Sequence, residues 1–173
     1  MSNCSSPLLP DFNKTKLSKN SFKSNKDFYY LSPILFMLTL IGDIHGHADK
    51  LETLLQKIGF SKSKGIYRHP EMKALFVGDY IDRGPQIPET LEIVRRMVEE
   101  GQAIALMGNH EYNALCFHFQ ETEGGHLRKH LIKNIIQHYE TLRQFQNRQE
   151  EYENYLEWFK TLPLDYEDEE CRA

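Results

Sequence analysis

The chain has 173 residues, 40% of them hydrophobic and 27% charged, with a formal net charge of −4. That is room for one domain and too little for two of ordinary size. The near-balanced charge excludes both a wide basic field for nucleic acid and a polyacidic solvating chain. Three scattered cysteines, Cys4, Cys116 and Cys171, lack any CxxC spacing. They read as free thiols of a reducing, cytoplasmic compartment, not as a disulfide framework.

Residues 1–34 begin with a stretch rich in Ser, Asn and Lys, too poor in apolar side chains to offset the cost of ordering, and are expected to be a flexible tail. The longest apolar run, FYYLSPILFMLTLI, is shorter than the roughly 18 residues a membrane helix needs and is broken by Pro33, so no membrane span is expected. Its second half, ILFMLTLI, reads as a fully buried strand closed by Gly42, opening a domain over 35–173. ADKLETLLQKI follows with Leu51, Leu54, Leu55 and Ile58 at helical spacing and Gly59 at its end. KALFVG predicts a second strand. PETLEIVRRMVEEG predicts a second helix, with Pro88 near its start and Gly101 just past its end. QAIALMG predicts a third strand. Strand and helix alternating in this way imply right-handed crossovers and a largely parallel α/β sheet. Residues 126–160 read as helical, with Leu127, Leu131, Ile135, Ile136 and Tyr139 on one apolar stripe and Tyr152, Tyr155, Leu156 and Phe159 on another. LPLDYEDEECRA reads as a turn toward a further strand.

Three polar clusters, GDIHG, GDYIDRG and GNHE, each follow a predicted strand, the edge of an open α/β sheet at which ligands bind. Asp43 and His45, two residues apart in extended chain, suit a divalent first-row ion, or else form a loop hydrogen bond. Asp79 occupies the same post-strand position as Asp43. Arg83 offers a planar fork for two phosphate oxygens, or with Asp82 makes a surface charge pair. Asn109 offers a neutral oxygen ligand, or caps a helix. His110 titrates near neutrality and suits proton donation.

Taken together and in order, the three clusters resemble the signature blocks of the calcineurin-like metallophosphoesterase superfamily, in its phosphoprotein phosphatase and dinucleoside tetraphosphatase-like branch, strongly over 38–111 and loosely beyond. The resemblance implies the N-terminal part of a four-layer α/β/β/α sandwich. It also implies two divalent metal ions, manganese first with iron or zinc as alternatives. Asp43 and His45 would hold the first, Asp79 would bridge, and Asn109 would ligate the second. Asp82 would orient His110 as proton donor, Arg83 would grip phosphate, and a metal-activated hydroxide would attack phosphorus in line. The implied substrate is a phosphoprotein or a nucleotide, with no membrane or specific nucleic-acid partner. Protein serine/threonine phosphatase-like hydrolysis of monoesters leads, with dinucleoside polyphosphate or RNA-end hydrolysis as the alternative.

Two departures stand out. The family's second metal takes two late histidines. Here His118, His126, His130 and His138 follow Glu111 without such a block, and the pair His126 and His130, four apart, is expected to be solvated on a helix. The chain is therefore expected to stop short of a complete domain, with a catalytically impaired remnant as a further reading. Met107 stands before GNHE where protein phosphatases usually carry arginine, which weakens the phosphoprotein reading.

Overall fold

The computed structural model describes residues 37–122 and 124–167. The tail expected over 1–34 lies outside the described residues, as do Cys4, Cys171 and any strand after residue 167. The elements run β1 (Met37–Ile41), α1 (Ala48–Ile58), β2 (Ser61–Ser63), β3 (Ile66–Arg68), β4 (Met72–Phe76), α2 (Ile87–Glu99), β5 (Ala103–Ala105), α3 (Asn109–His118), α4 (Ile132–Gln144) and α5 (Gln149–Phe159). No described helix is long and apolar enough to cross a membrane.

β1, β4 and β5 form a parallel sheet in that spatial order, with Ile41 beside Phe76 and Phe76 beside Ala105. Successive right-handed crossovers between sequential parallel strands put α1 and α2 on one face, where the two helices touch. They bury Leu51, Leu55, Leu91, Val94 and Met97 against Ala74 and Phe76. α1 stops where Gly59 turns left-handed, φ 107°, and Pro88 stands in the first turn of α2. α5 buries Tyr152, Tyr155, Leu156 and Phe159, the stripe expected of it, and packs against α3.

Four expectations need correction. β1 is not fully buried. It lies at the sheet's edge among the described residues, and Met37 and Leu40 are exposed. Between α1 and β4 the chain inserts an antiparallel hairpin, β2–β3, that the periodicity of so short a polar segment did not announce. Its turn residues Lys64 (φ 50°) and Gly65 (φ 78°) both take positive φ, as a two-residue hairpin turn requires. His126 and His130 are on no helix. The segment after α3 turns at Gly124 and Gly125 and folds back through Leu127 N–H to Phe119 O and Arg128 N–H to Cys116 O. This stacks the two rings 4.0 Å apart and His130 on Phe117 at 3.9 Å.

The fourth correction concerns α4. Its apolar stripe faces outward, with Ile132 77% and Ile136 69% exposed and Leu127, Leu131, Ile135 and Tyr139 also exposed. The face turned inward carries His138, Thr141 and Gln144, three apart, with His138 and Thr141 buried. Hydrogen bonds decide the orientation. Gln144 accepts from Ile87 N–H at 2.8 Å and donates to Gly84 O at 2.9 Å, while Thr141 and His138 bond Asp82.

The loops after β4 and β5 are tied by Glu111, fully buried in the first turn of α3. Its Oε2 accepts from Asp79 N–H at 2.9 Å and Gly108 N–H at 3.1 Å. Its Oε1 accepts from Tyr80 N–H at 2.8 Å and Ile81 N–H at 3.3 Å. Burial raises this carboxyl above its ordinary value and the backbone donors oppose the rise. With two N–H donors on each oxygen there is no acceptor for a carboxyl proton, so the geometry suits the carboxylate.

Glu111→Gln turns one of these oxygens into an amide that faces N–H donors, and should destabilise the fold by about 2–4 kcal/mol. A lower urea midpoint at unchanged slope is the expected readout. A second effect concerns pH. His118 packs on Tyr152, ring centroids 5.1 Å apart, and its buried Nε2 has no hydrogen-bond partner among the described residues. Burial first, and then its setting among the other imidazoles, pushes it down to about 4. The unfolded histidine, with its ordinary value near 6.5, then binds protons that the folded one refuses, so stability falls as pH drops from about 6.5 toward 4. His118→Phe should lose less urea resistance than the wild type between pH 7 and pH 5.

Candidate functional site

All three polar clusters emerge at the carboxyl edge of the parallel sheet, where each strand releases its chain into a turn. The first two loops pair with each other. His45 N–H donates to Asp79 O at 2.8 Å, and Gly46 N–H donates to Tyr80 O at 2.7 Å. The second and third nearly touch, and a Cβ at Gly78 would run into the Gly108 Cα. Gly84 approaches the His45 and Gly46 carbonyl oxygens just as closely. Tyr80, fully buried, donates its hydroxyl to Leu106 O at 2.6 Å and so fastens the β4 loop to the end of β5.

Of the six described non-glycine residues at positive φ, five belong to the first two polar clusters. They are Asp43 (53°), His45 (43°), Asp79 (59°), Asp82 (67°) and Arg83 (63°). Aspartate tolerates this region moderately, histidine and arginine less so. Strain of this kind persists where surrounding bonds over-determine the backbone, and it gathers at functional sites.

His45 is buried, and its Nδ1 donates to Ile81 O at 3.0 Å. That bond sets the tautomer and leaves the Nε2 lone pair for a ligand. Nε2 lies 3.8 Å from the Asp43 carboxylate, whose side chain is 86% exposed. Asp79, half-buried, accepts from His110 N–H at 3.2 Å. Ligand atoms of His45, Asp79 and His110 all lie within 4.8 Å of one another, the one group of three or more His, Cys, Asp or Glu among the described residues close enough to hold a metal ion. A half-buried carboxylate beside a free imidazole nitrogen, with a second carboxylate alongside, is a donor set that fits a divalent first-row cation.

Asp82 and His110 form a buried pair, Oδ2 to Nδ1 at 2.6 Å. The hydrogen bond to Asp82 raises the His110 imidazole above its ordinary value, while burial and the nearby Arg83 charge work against that rise. Burial alone would raise Asp82, but hydrogen bonds from His110, His138 and Thr141 outweigh it and hold the carboxyl well below the ordinary range. Asn109 is exposed at the first position of α3. The cap is Gly108, so the amide is not committed to capping. Arg83 is exposed beside the pair.

The sequence-predicted residues thus gather in one place, with His45, Asp79 and His110 at its centre, Asp82 behind His110, and Asp43, Asn109 and Arg83 at the solvent side. Four contributors had not been singled out: Glu111, His138, Thr141 and Tyr152. Glu111 stood inside the GNHE cluster without a role. The three-residue spacing of His138, Thr141 and Gln144 was the available signal for α4's inward face.

The calcineurin-like phosphoesterase family model matches residues 36–169. Among curated proteins, an asymmetrical bis(5'-nucleosyl)-tetraphosphatase PrpE of Halalkalibacterium halodurans is 43% identical over 72 residues, covering 41% of this chain and 29% of that protein. The corresponding protein of Oceanobacillus iheyensis is 35% identical over 106 residues, covering 61% of this chain and 41% of that protein. The chain thus spans well under half the length of these relatives. Among solved structures, a protein serine/threonine phosphatase from Saccharomyces cerevisiae with similarity to human phosphatase PP5 superposes with a TM-score of 0.50 at 20% identity, covering 78% of this chain and 36% of that one. That likeness is one of fold. With the family model covering most of its length and the three loops joined at one sheet edge, the chain belongs to the calcineurin-like phosphoesterase family.

Proposed function

We propose that this chain carries the metal-binding and proton-donating groups of a phosphohydrolase site whose substrates are nucleotide polyphosphates, dinucleoside tetraphosphates first among them. The observation that carries the reading is the buried Asp82–His110 pair set directly beside the His45–Asp79 donor group. The substrate class draws on the tetraphosphatase names of the relatives and on Met107 standing where protein phosphatases usually have arginine. A second reading, protein serine/threonine phosphatase-like hydrolysis, is favoured by the wording of the GDIHG, GDYIDRG and GNHE blocks.

In this reading Asp43 and His45 would hold one divalent ion and Asn109 a second, with Asp79 contributing to both and manganese the leading metal. When bound, such ions polarise the phosphoryl oxygens and make an attacking water more acidic. His45 contributes by presenting Nε2 in a fixed orientation, because its Nδ1–H is spent on Ile81 O. Arg83 pairs with non-bridging phosphate oxygens from the solvent side. His110 keeps Nδ1 on Asp82 and holds a second proton at Nε2. It gives that proton to the departing oxygen as the phosphorus–oxygen bond breaks, and takes another from water afterwards.

Phosphate leaving groups are far weaker bases than a serine alkoxide and need less help from an acid. The two readings therefore separate by substrate. The full chain with manganese should cleave bis(5'-adenosyl) tetraphosphate unevenly, to mono- and triphosphate, and faster than it cleaves a phosphoserine peptide. Asp79→Asn should lower turnover about a hundredfold or more. Faster hydrolysis of the peptide would favour the protein phosphatase reading. Turnover that survives Asp79→Asn, or none in a folded wild-type chain, would overturn both.

A further inference from the structure

The inward face of α4 adds a second imidazole to the catalytic pair. His138 is buried, with Nδ1 2.7 Å from Asp82 Oδ1 and Nε2 2.8 Å from the Tyr152 hydroxyl. Thr141 donates its hydroxyl to the same Oδ1 at 2.6 Å and accepts from Asp82 N–H at 3.1 Å. The Asp82 carboxylate is thereby divided, one oxygen taking His138 and Thr141 and the other taking His110 alone at 2.6 Å. The row Tyr152–His138–Asp82–His110 spans α5, α4, the β4 loop and α3.

The direction of every proton in this row follows from the ends. Asp82 is a carboxylate and only accepts, so both imidazoles must bring it a Nδ1–H. Burial keeps the Tyr152 phenol protonated, its ionisation pushed well above the ordinary value. Its hydroxyl lies 2.8 Å from His138 Nε2 and, in the proposal below, is the donor with that nitrogen as acceptor. Donors thus run one way, from Tyr152 through His138 to Asp82. An Asp82 freed from His138 could rotate about its Cβ–Cγ bond and offer His110 either oxygen. Held by His138 and Thr141, it offers one, in one direction, and the His110 ring is aimed accordingly.

We propose that His138, with Tyr152 behind it, is a positioning residue for the proton donor. By locking the Asp82 carboxylate it fixes the direction in which His110 presents its outer nitrogen to the leaving oxygen. This rests on the proposed hydrolysis and deepens it. A residue acting in this way matters most where the leaving group is most basic, whereas a residue that only stabilises the fold alters all substrates alike.

The test uses the full chain with manganese, with phenyl phosphate as the ester of a poor leaving group and p-nitrophenyl phosphate as that of a good one. His138→Leu should lower kcat on phenyl phosphate about tenfold or more, with a clearly smaller loss on p-nitrophenyl phosphate and KM within about twofold for each. His138→Asn, whose amide nitrogen reaches as far as the lost Nδ1, should recover most of the phenyl phosphate rate. Should His138→Leu fold poorly, Tyr152→Phe removes only a hydroxyl and should show the same bias in milder form. Nitrogen-15 spectra of the wild-type imidazoles give a readout that does not need turnover, and should show His138 neutral with its proton on Nδ1. A His138 proton on Nε2, or equal losses on both esters in a chain where His110→Asn does show the bias, overturns the positioning role alone. A folded wild type that hydrolyses neither ester overturns the hydrolytic reading and the positioning role with it.

Discussion

The carboxylate of Glu111 sits where the β4 and β5 loops meet and takes backbone N–H groups from both. Loops that leave parallel strands and turn at once have donors with no ladder to join, and a buried donor without a partner is costly. One side chain meets four of them. Because Asp79 and Gly108 share an oxygen of that carboxylate, the chain bearing Asp79 and the chain bearing His110 cannot drift apart independently. The first loop joins through His45 and Gly46, whose N–H groups donate to Asp79 and Tyr80. Three segments far apart in sequence become one hydrogen-bonded body, and the positive-φ residues in it are held there by bonds on either side.

Two buried carboxylates then serve different ends. Glu111 is surrounded by amide donors, which carry no charge to exchange, so it acts as a fixed pin. Asp82 is surrounded by two imidazoles and a hydroxyl, groups that hold protons which can be redirected. Asp79, half-buried and bonded lightly through one oxygen, remains the carboxylate with lone pairs to spare. The same functional group yields an anchor, a hydrogen-bond hub and a carboxylate with free lone pairs, according to what its neighbours are.

The functional half of the fold could be read from the chain because glycine-closed strands and polar clusters recur at fixed places. Alternation of strand and helix implies one edge for all three clusters, and Gly59 and Pro88 act as helix punctuation. What escaped was orientation. Helical spacing identifies faces but not which face turns inward, and in α4 hydrogen bonds from Thr141 and Gln144 outweighed the burial of Ile132 and Ile136. His138 carries no local signal of its role because the partners that bury it, Asp82 and Tyr152, lie 56 and 14 residues away. Four-residue spacing misled for His126 and His130, since Gly124 and Gly125 break the chain before a helix can form.

The inverted docking of α4 has a thermodynamic side. Up to its last turn α4 is fastened through a threonine, a glutamine and a histidine while its isoleucines face water, and only at its end does Phe145 enter the core. Lifting the turns before Phe145 would break mainly hydrogen bonds. The step would therefore contribute little to the heat capacity of unfolding and little to its denaturant sensitivity. Cooling, which weakens apolar cores, would leave this attachment comparatively untouched. Small solutes that compete for hydrogen bonds would act on it first, and they would reach Asp82 before the sheet beneath had loosened.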